Sequence, residues 1–351
     1  MGLFDGTGPE GETGSTAELA QLTGWPVVMI VDAHGQGASI AALLRGFAEH
    51  RPGVTLAGVI FNRVSSVRHG RLLAESVARH LPFLACLGTL PFDPRLTLPS
   101  RHLGLVPAVE IANAGAVIDR CAAEIGAVVE VDRLLDLARP STLMAGAGAA
   151  RLPGFGRRIA VARDEAFSFA YPALLNGWRH QGVKVAFFSP LADEPPDCAA
   201  DSVYLPGGYP ELWSERLASV HRFMTGLRQA AADGKPIYGE CGGYMVLGEI
   251  LVDSNGRSWP MAGLLPLATS FAERRLHLGY RYAKLLACNP LGTAGACYRG
   301  HEFHYATAIR QGPAAPLFAV EDASGADLGC YGLCRGSVFG SFIHLIDRCD
   351  E

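Results

Sequence analysis

Short apolar runs alternate with helix-patterned stretches in two separate series, and this alternation constrains the 351-residue chain more than any other feature. Val27-Val28-Met29-Ile30-Val31 reads as a buried strand, Ser39 to Glu49 as a helix, Val54 to Phe61 as a strand and Arg71 to His80 as a helix. Strands and helices in that order predict a parallel sheet covered by helices. Val109 to Leu137 reads as mostly helical. Pro140 to Gly154 is then rich in small residues without periodicity, which is linker composition. A second α/β series follows, with strands at Arg158–Ala162, Val185–Phe188, Ser202–Leu205 and Pro236–Gly239 and a helix from Leu217 to Ala231. The predicted division is a first domain over 1–140, a linker over 141–157 and a second domain over 158–351.

Bulk properties exclude several classes. A formal charge of -4 and the lack of a Lys/Arg cluster leave no footprint for nucleic acid or an anionic membrane. The longest apolar run, Trp25 to Val31, is far short of the ~20 residues that span a bilayer. Met1 to Gly6 carries neither the basic nor the apolar part of a secretory signal, so a cytoplasmic location is expected. The 9 cysteines are scattered and odd in number, which predicts reduced thiols in place of a disulfide framework. No zinc-type ligand spacing is found.

The chemistry concentrates in the second domain. Gly239-Glu240-Cys241-Gly242-Gly243, between a predicted strand and a helix expected near Met245, is the cysteine form of a nucleophile elbow. Small flanking residues let a strained turn push the thiol out, and a helix N-terminus behind it favours thiolate. A buried structural cysteine in a glycine-rich turn is the alternative. Leu205-Pro206-Gly207-Gly208-Tyr209-Pro210 offers consecutive amides suited to an oxyanion hole, or an ordinary turn. His344, after the apolar run Ser337 to Ile343, is placed to serve Cys241 as a base, although a lone histidine is also often structural. His301, Glu302 and His304 form a charged, aromatic cluster that fits either a substrate pocket, a domain interface or a polar strand edge.

The ordered set of glycine turn, cysteine elbow and terminal histidine resembles the class I glutamine amidotransferases. Leu205 to Glu211, Gly239 to Met245 and Arg299-Gly-His-Glu-Phe-His-Tyr305 resemble motifs of the cobyrinic acid a,c-diamide synthase family, and Ala162 to Phe169 is similar to another of its segments. Gly2-Leu-Phe-Asp-Gly6, Gly14-Ser-Thr-Ala17, Asn62-Arg63-Val64 and Leu98 to Gly104 are similar to its synthetase domain, so the resemblance covers essentially the whole chain.

The resemblance implies an α/β protein of two domains: a partial P-loop, dethiobiotin-synthetase-like parallel sheet followed by a class I glutamine amidotransferase domain of flavodoxin-like fold. It implies a ligase that amidates the a and c carboxylates of cobyrinate or hydrogenobyrinate with L-glutamine, ATP and Mg2+. It casts Cys241 as nucleophile, His344 as base and Gly207, Gly208 and Gly242 as oxyanion donors. The usual carboxylate two residues after the histidine is replaced by Ile346, so a dyad is expected, with Asp347 an acid by proximity only. Asp5, Ser15, Thr16, Asn62, Arg101 and His102 become candidate nucleotide or substrate contacts. A P-loop needs Gly-x-x-x-x-Gly-Lys-Ser/Thr; none occurs, and Gly35-Gln-Gly37-Ala-Ser39 lacks both the spacing and the lysine. The family's P-loop segment is therefore expected to lie before the position of Met1, which puts the ATP step of this chain in question. Nickel-sirohydrochlorin a,c-diamide synthase or another glutamine amidotransferase ligase remains an alternative, while Tyr209-Pro210-Glu211 and Leu3-Phe4-Asp5 argue against cobyric acid synthase; a cysteine α/β-hydrolase and a ligase-inactive fragment or binding partner also stay open. Whether a homodimer forms is left open.

Overall fold

The computed structural model describes residues 2–7, 13–101, 104–106, 108–111, 113–144 and 152–349. The chain divides into two compact units, Met1–Ala145 and Gly146–Glu351. Residues 145–151 of the predicted linker lie outside the described residues.

In the first unit, β1 (Val27–Asp32), β2 (Leu56–Val64) and β3 (Ala85–Pro91) form a parallel sheet in the order β1-β2-β3. Helices α1 (Thr16–Thr23), α2 (Ile40–Glu49), α3 (Val67–His80), α4 (Ala114–Val128) and α5 (Val131–Asp136) accompany it. Leu73 and Val77, one helical turn apart, bury the inner stripe of α3 with Ile40 and Leu44 of α2 against Val59 and Phe61 of β2. Helix α3 starts four residues before the expected Arg71. Val67 is exposed and lies off the buried stripe, and the start is set by Ser66, whose hydroxyl caps the helix by accepting from the His69 amide. Strand β2 likewise runs past Phe61 to Val64, so Asn62 lies within the strand and not after it.

The second unit is built on one ten-stranded sheet. Its parallel half comprises β4 (Arg158–Ala162), β5 (Lys184–Phe188), β6 (Ser202–Leu205), β7 (Ile237–Glu240) and, after the intervening antiparallel strands, β12 (Val338–Ser341). The antiparallel half comprises β8 (His277–Leu285), β9 (Cys297–His304), β10 (Ala315–Asp322), β11 (Asp327–Arg335) and β13 (His344–Arg348). The order is β13-β9-β8-β10-β11-β12-β7-β6-β4-β5. Helices α6 (Pro172–His180), α7 (Ser214–Ser219), α8 (His221–Ala232) and α9 (Gly242–Leu247) belong to the parallel half.

Strands β6, β7 and β12 are buried at every position, as parallel strands covered on both faces must be. On one face, Tyr204, Tyr238 and Phe339 stack across the three strands with ring centroids 5.7 Å and 5.5 Å apart. The expected single helix from Leu217 to Ala231 is two. Val220 between α7 and α8 is extended and buried, because its side chain is needed in the core under the sheet. Only Phe342 and Ile343 separate β12, in mid-sheet, from β13, at the sheet's edge. The antiparallel half therefore bends back toward the C-terminal end of β7.

Candidate active site

Strand β7 ends at Glu240 and α9 begins at Gly242, so Cys241 makes the whole turn. Its φ of 48° and ψ of -104° lie where a residue with a Cβ is strained. The turn is pinned on both sides: the Cys241 amide donates to Ser341 O (2.8 Å), and its carbonyl accepts from the Met245 amide (3.1 Å). Gly243 rests directly on the Leu205 carbonyl, leaving no room for a Cβ. The helix thus begins immediately after the nucleophile candidate, earlier than the expected Met245.

His344 opens β13 and is buried with its ring beside the Cys241 sulfur. Gly207 closes the third side: a Cβ placed there would stand 3.4 Å from both Cys241 Cβ and His344 Nε2. The Gly208 amide nitrogen lies 3.0 Å from where a Gly242 Cβ would stand, so the glycine turn faces the elbow. The structure brings Cys241, His344, Gly207, Gly208 and Gly242 together from three separate segments. Burial alone pushes the His344 imidazole down, but the adjacent sulfur of Cys241 and the Glu240 carboxylate outweigh it and hold the pKa up to about 10. The imidazole therefore carries a proton on both nitrogens at neutral pH.

Three further groups surround the pair. Glu240 is fully buried and accepts from Tyr204 Oη (3.0 Å), Tyr238 Oη (3.2 Å) and the Leu345 amide (3.1 Å). The two-residue period of a strand puts Tyr238 and Glu240 on one face of β7. Burial, and then the Glu240 charge, push both phenols well above their ordinary pKa, so they remain donors. His301, paired with His344 across β9 and β13, stacks on it at 4.8 Å and 2°. Burial, followed by the charge of His344, lowers the His301 pKa to about 4. Tyr171, raised to about 12 by burial and then by Glu240 and Cys241, contacts His301 Nε2 through its hydroxyl at 2.6 Å. Tyr171 gave no sequence signal, since it sits alone before a Pro-initiated helix.

The predicted His301-Glu302-His304 cluster splits, because successive strand residues point to opposite faces. His301 joins the His344 side. Glu302 pairs with Arg281 (3.0 Å) and His304 (2.9 Å), and Glu302 and His304 line a cavity of about 290 Å³ together with His277 and Tyr244. Asp347 does not serve His344; its carboxylate accepts from the Arg348 amide, and with Ile346 it lines a different cavity beside Leu174 and His180.

The candidates of the first unit have local roles. Ser15 is buried and caps α1 by accepting from the Glu18 amide (3.2 Å), while Thr16 is exposed beside it. Exposed Asp5 accepts from the Gly2 amide, and Asn62 from the Arg63 amide. His102 and the side chain of Arg101 lie outside the described residues. The loop after β1 is tied to α3 through its carbonyls, Gln36 O to His69 Nε2 (2.7 Å) and Ala38 O to Ser76 Oγ (3.1 Å). No lysine occurs in residues 1–145. The described residues of this unit do not make a cradle for a triphosphate and its Mg2+.

A thiol on a strained strand-to-helix elbow, an imidazole beside it and a glycine turn facing both are the parts of a glutamine amidotransferase. Residues 158–350 match the family described as CobB/CobQ-like glutamine amidotransferase domain, and residues 3–106 match the CobQ/CobB/MinD/ParA nucleotide binding domain. The chain is 51% identical over 353 residues to hydrogenobyrinate a,c-diamide synthase of Brucella abortus biovar 1 (strain 9-941), covering 100% of this chain and 79% of that protein. It is also 51% identical over 348 residues to the enzyme of that name from Rhodobacter capsulatus, and 49% over 347 residues to that of Rhizobium meliloti, covering 99% of this chain and 79% of each relative. The chain belongs to the hydrogenobyrinate a,c-diamide synthase family.

Proposed function

We propose that this protein takes ammonia from L-glutamine and uses it to amidate the a and c carboxylates of hydrogenobyrinate or cobyrinate in cobalamin biosynthesis, in the cytoplasm. The observation that carries this reading is the seating of His344 beside a thiol held in strain by its own elbow. With its proton on His344, the pair presents sulfur as the nucleophile to the glutamine side-chain carbonyl carbon. The tetrahedral oxyanion falls to the amides of Gly208 and Gly242, with Gly207 lining the same space. His344 gives its Nε2 proton to the departing ammonia, and a thioester to Cys241 remains. Water, deprotonated by His344, hydrolyses the thioester to glutamate and restores the pair.

Amidation of a carboxylate by ammonia requires activation, and ATP with Mg2+ is the activating pair that the resemblance to this family implies. Membership of a nucleotide-binding family over residues 3–106 supports a nucleotide-dependent partner reaction.

A glutaminase assay tests the first half reaction. Wild-type protein is expected to release ammonia and glutamate from glutamine, and Cys241→Ser to release none. Absence of wild-type release, or undiminished release by Cys241→Ser, would refute the assignment.

A further inference from the structure

Strand β13 supplies no acid to its own histidine: the position two residues on is the half-exposed, apolar Ile346, and Asp347 is engaged elsewhere. An acid nevertheless stands behind the ring. Glu240 Oε1 lies 3.3 Å from His344 Nδ1, a charge contact off the line of a hydrogen bond, and the buried Nδ1 has no other partner among the described residues.

We infer that Glu240, the residue immediately before the nucleophile, is the positioning acid of His344, holding Nδ1 so that Nε2 faces the Cys241 sulfur. The inference rests on the proposed roles of Cys241 and His344. A fully buried carboxylate is costly unless it is compensated by donors and a cation. The hydroxyls of Tyr204 and Tyr238 and the Leu345 amide supply the donors. Among the described residues, the titratable groups facing the ring are Cys241, Glu240, Tyr171 and His301, and of these only Glu240 approaches Nδ1 with a negative charge.

Glu240 also holds its target at two points. Oε2 takes the Leu345 amide, fixing the backbone next to the histidine, while Oε1 meets the ring itself. The strand that carries the nucleophile thereby fixes the base. Nδ1 keeps its proton through the cycle, and Nε2 carries the one that moves. Ile346 is then free to be apolar, because the acid comes from β7.

The test is glutamine hydrolysis by the full chain carrying Glu240→Gln, with active sites counted by a glutamine analogue that alkylates Cys241. Expected are a kcat per active site lower by roughly 10²-fold or more, a KM little changed, and an alkaline limb of the pH profile moved to lower pH. Glu240→Asp should recover part of the rate. A folded Glu240→Gln with wild-type kcat and an unmoved alkaline limb overturns the inference. So does a loss confined to the count of active sites, the mark of a merely structural carboxylate. Should the variant not fold, wild-type protein with 15N-labelled histidine decides: a neutral His344 at alkaline pH that keeps its proton on Nδ1 supports the contact, and a neutral form protonated on Nε2 refutes it. Undiminished activity in Cys241→Ser would instead strike at the underlying reading, so the two failures are distinguishable.

Discussion

The imidazole of His301 lies on that of His344 at 4.8 Å and nearly parallel, although only one of the two is positively charged at neutral pH. His344 is buried and His301 half-buried, and the larger difference between them is their partners. His344 meets a sulfur and a carboxylate, whereas His301 meets the hydroxyl of Tyr171 and the charge of His344 itself. Two like charges stacked in such a site would repel, so His301 serves as a neutral wall that fixes the plane of the other ring.

Removing that wall is expected to lower turnover modestly. An aromatic stack is worth about 0.5–1.5 kcal/mol, so His301→Ala should reduce glutaminase kcat by about 2- to 10-fold. Tyr171→Phe should act in the same direction and less strongly, since it leaves the stack in place. Steady-state kinetics on both variants check this, and an unchanged kcat in His301→Ala would remove the ring from the account.

Gly207→Ala should damage catalysis far more than stability. The added Cβ would stand 2.5 Å from His344 Cε1, so the imidazole must move, while the rest of the turn stays in place. Displacement of a catalytic group by about 1 Å can cost roughly 10²-fold in rate. Paired kinetics and thermal melts are expected to show a rate loss of that order with a nearly unchanged melting point.

The raised pKa of His344 fixes the sign of a pH effect on stability. Its folded value of about 10 lies above the ordinary 6.5, so its contribution is fully present below 6.5 and is lost as pH rises through about 10. Denaturant melts of the wild type should show falling stability across that window. His344→Gln should give a flatter profile there, and equal slopes would contradict a protonated His344.

The Arg281–Glu302 pair, 11% and 4% exposed, is a structural element of the antiparallel half. Burial alone would push the Glu302 carboxyl up, but His304 and Arg281 outweigh it and hold it below its usual range. Arg281→Met leaves that charge undercompensated, a change that typically costs about 3–5 kcal/mol. Urea unfolding of the variant checks the figure, and a loss below about 1 kcal/mol would mean that His304 alone satisfies the carboxylate.

The sequence by itself determined what is local. The strand ending at Gly239, the glycines around Cys241 and the turn at Gly207 and Gly208 were legible because their chemistry depends on neighbours a few positions away. Both α/β series could be read for the same reason, from apolar periodicity. Misplaced boundaries arose where a cap or the core overrode the pattern, as at Ser66 and Val220. The antiparallel strands β8–β11 passed unread, since half-exposed strands with mixed faces carry a weak apolar signal. Tertiary structure alone decided which acid meets His344. A sheet that bends back after β12 seats the histidine over the end of β7, where the side-chain alternation of that strand had already aimed Glu240 inward. No spacing in the chain encodes that meeting, because it depends on strand order and sheet curvature and not on distance along the sequence.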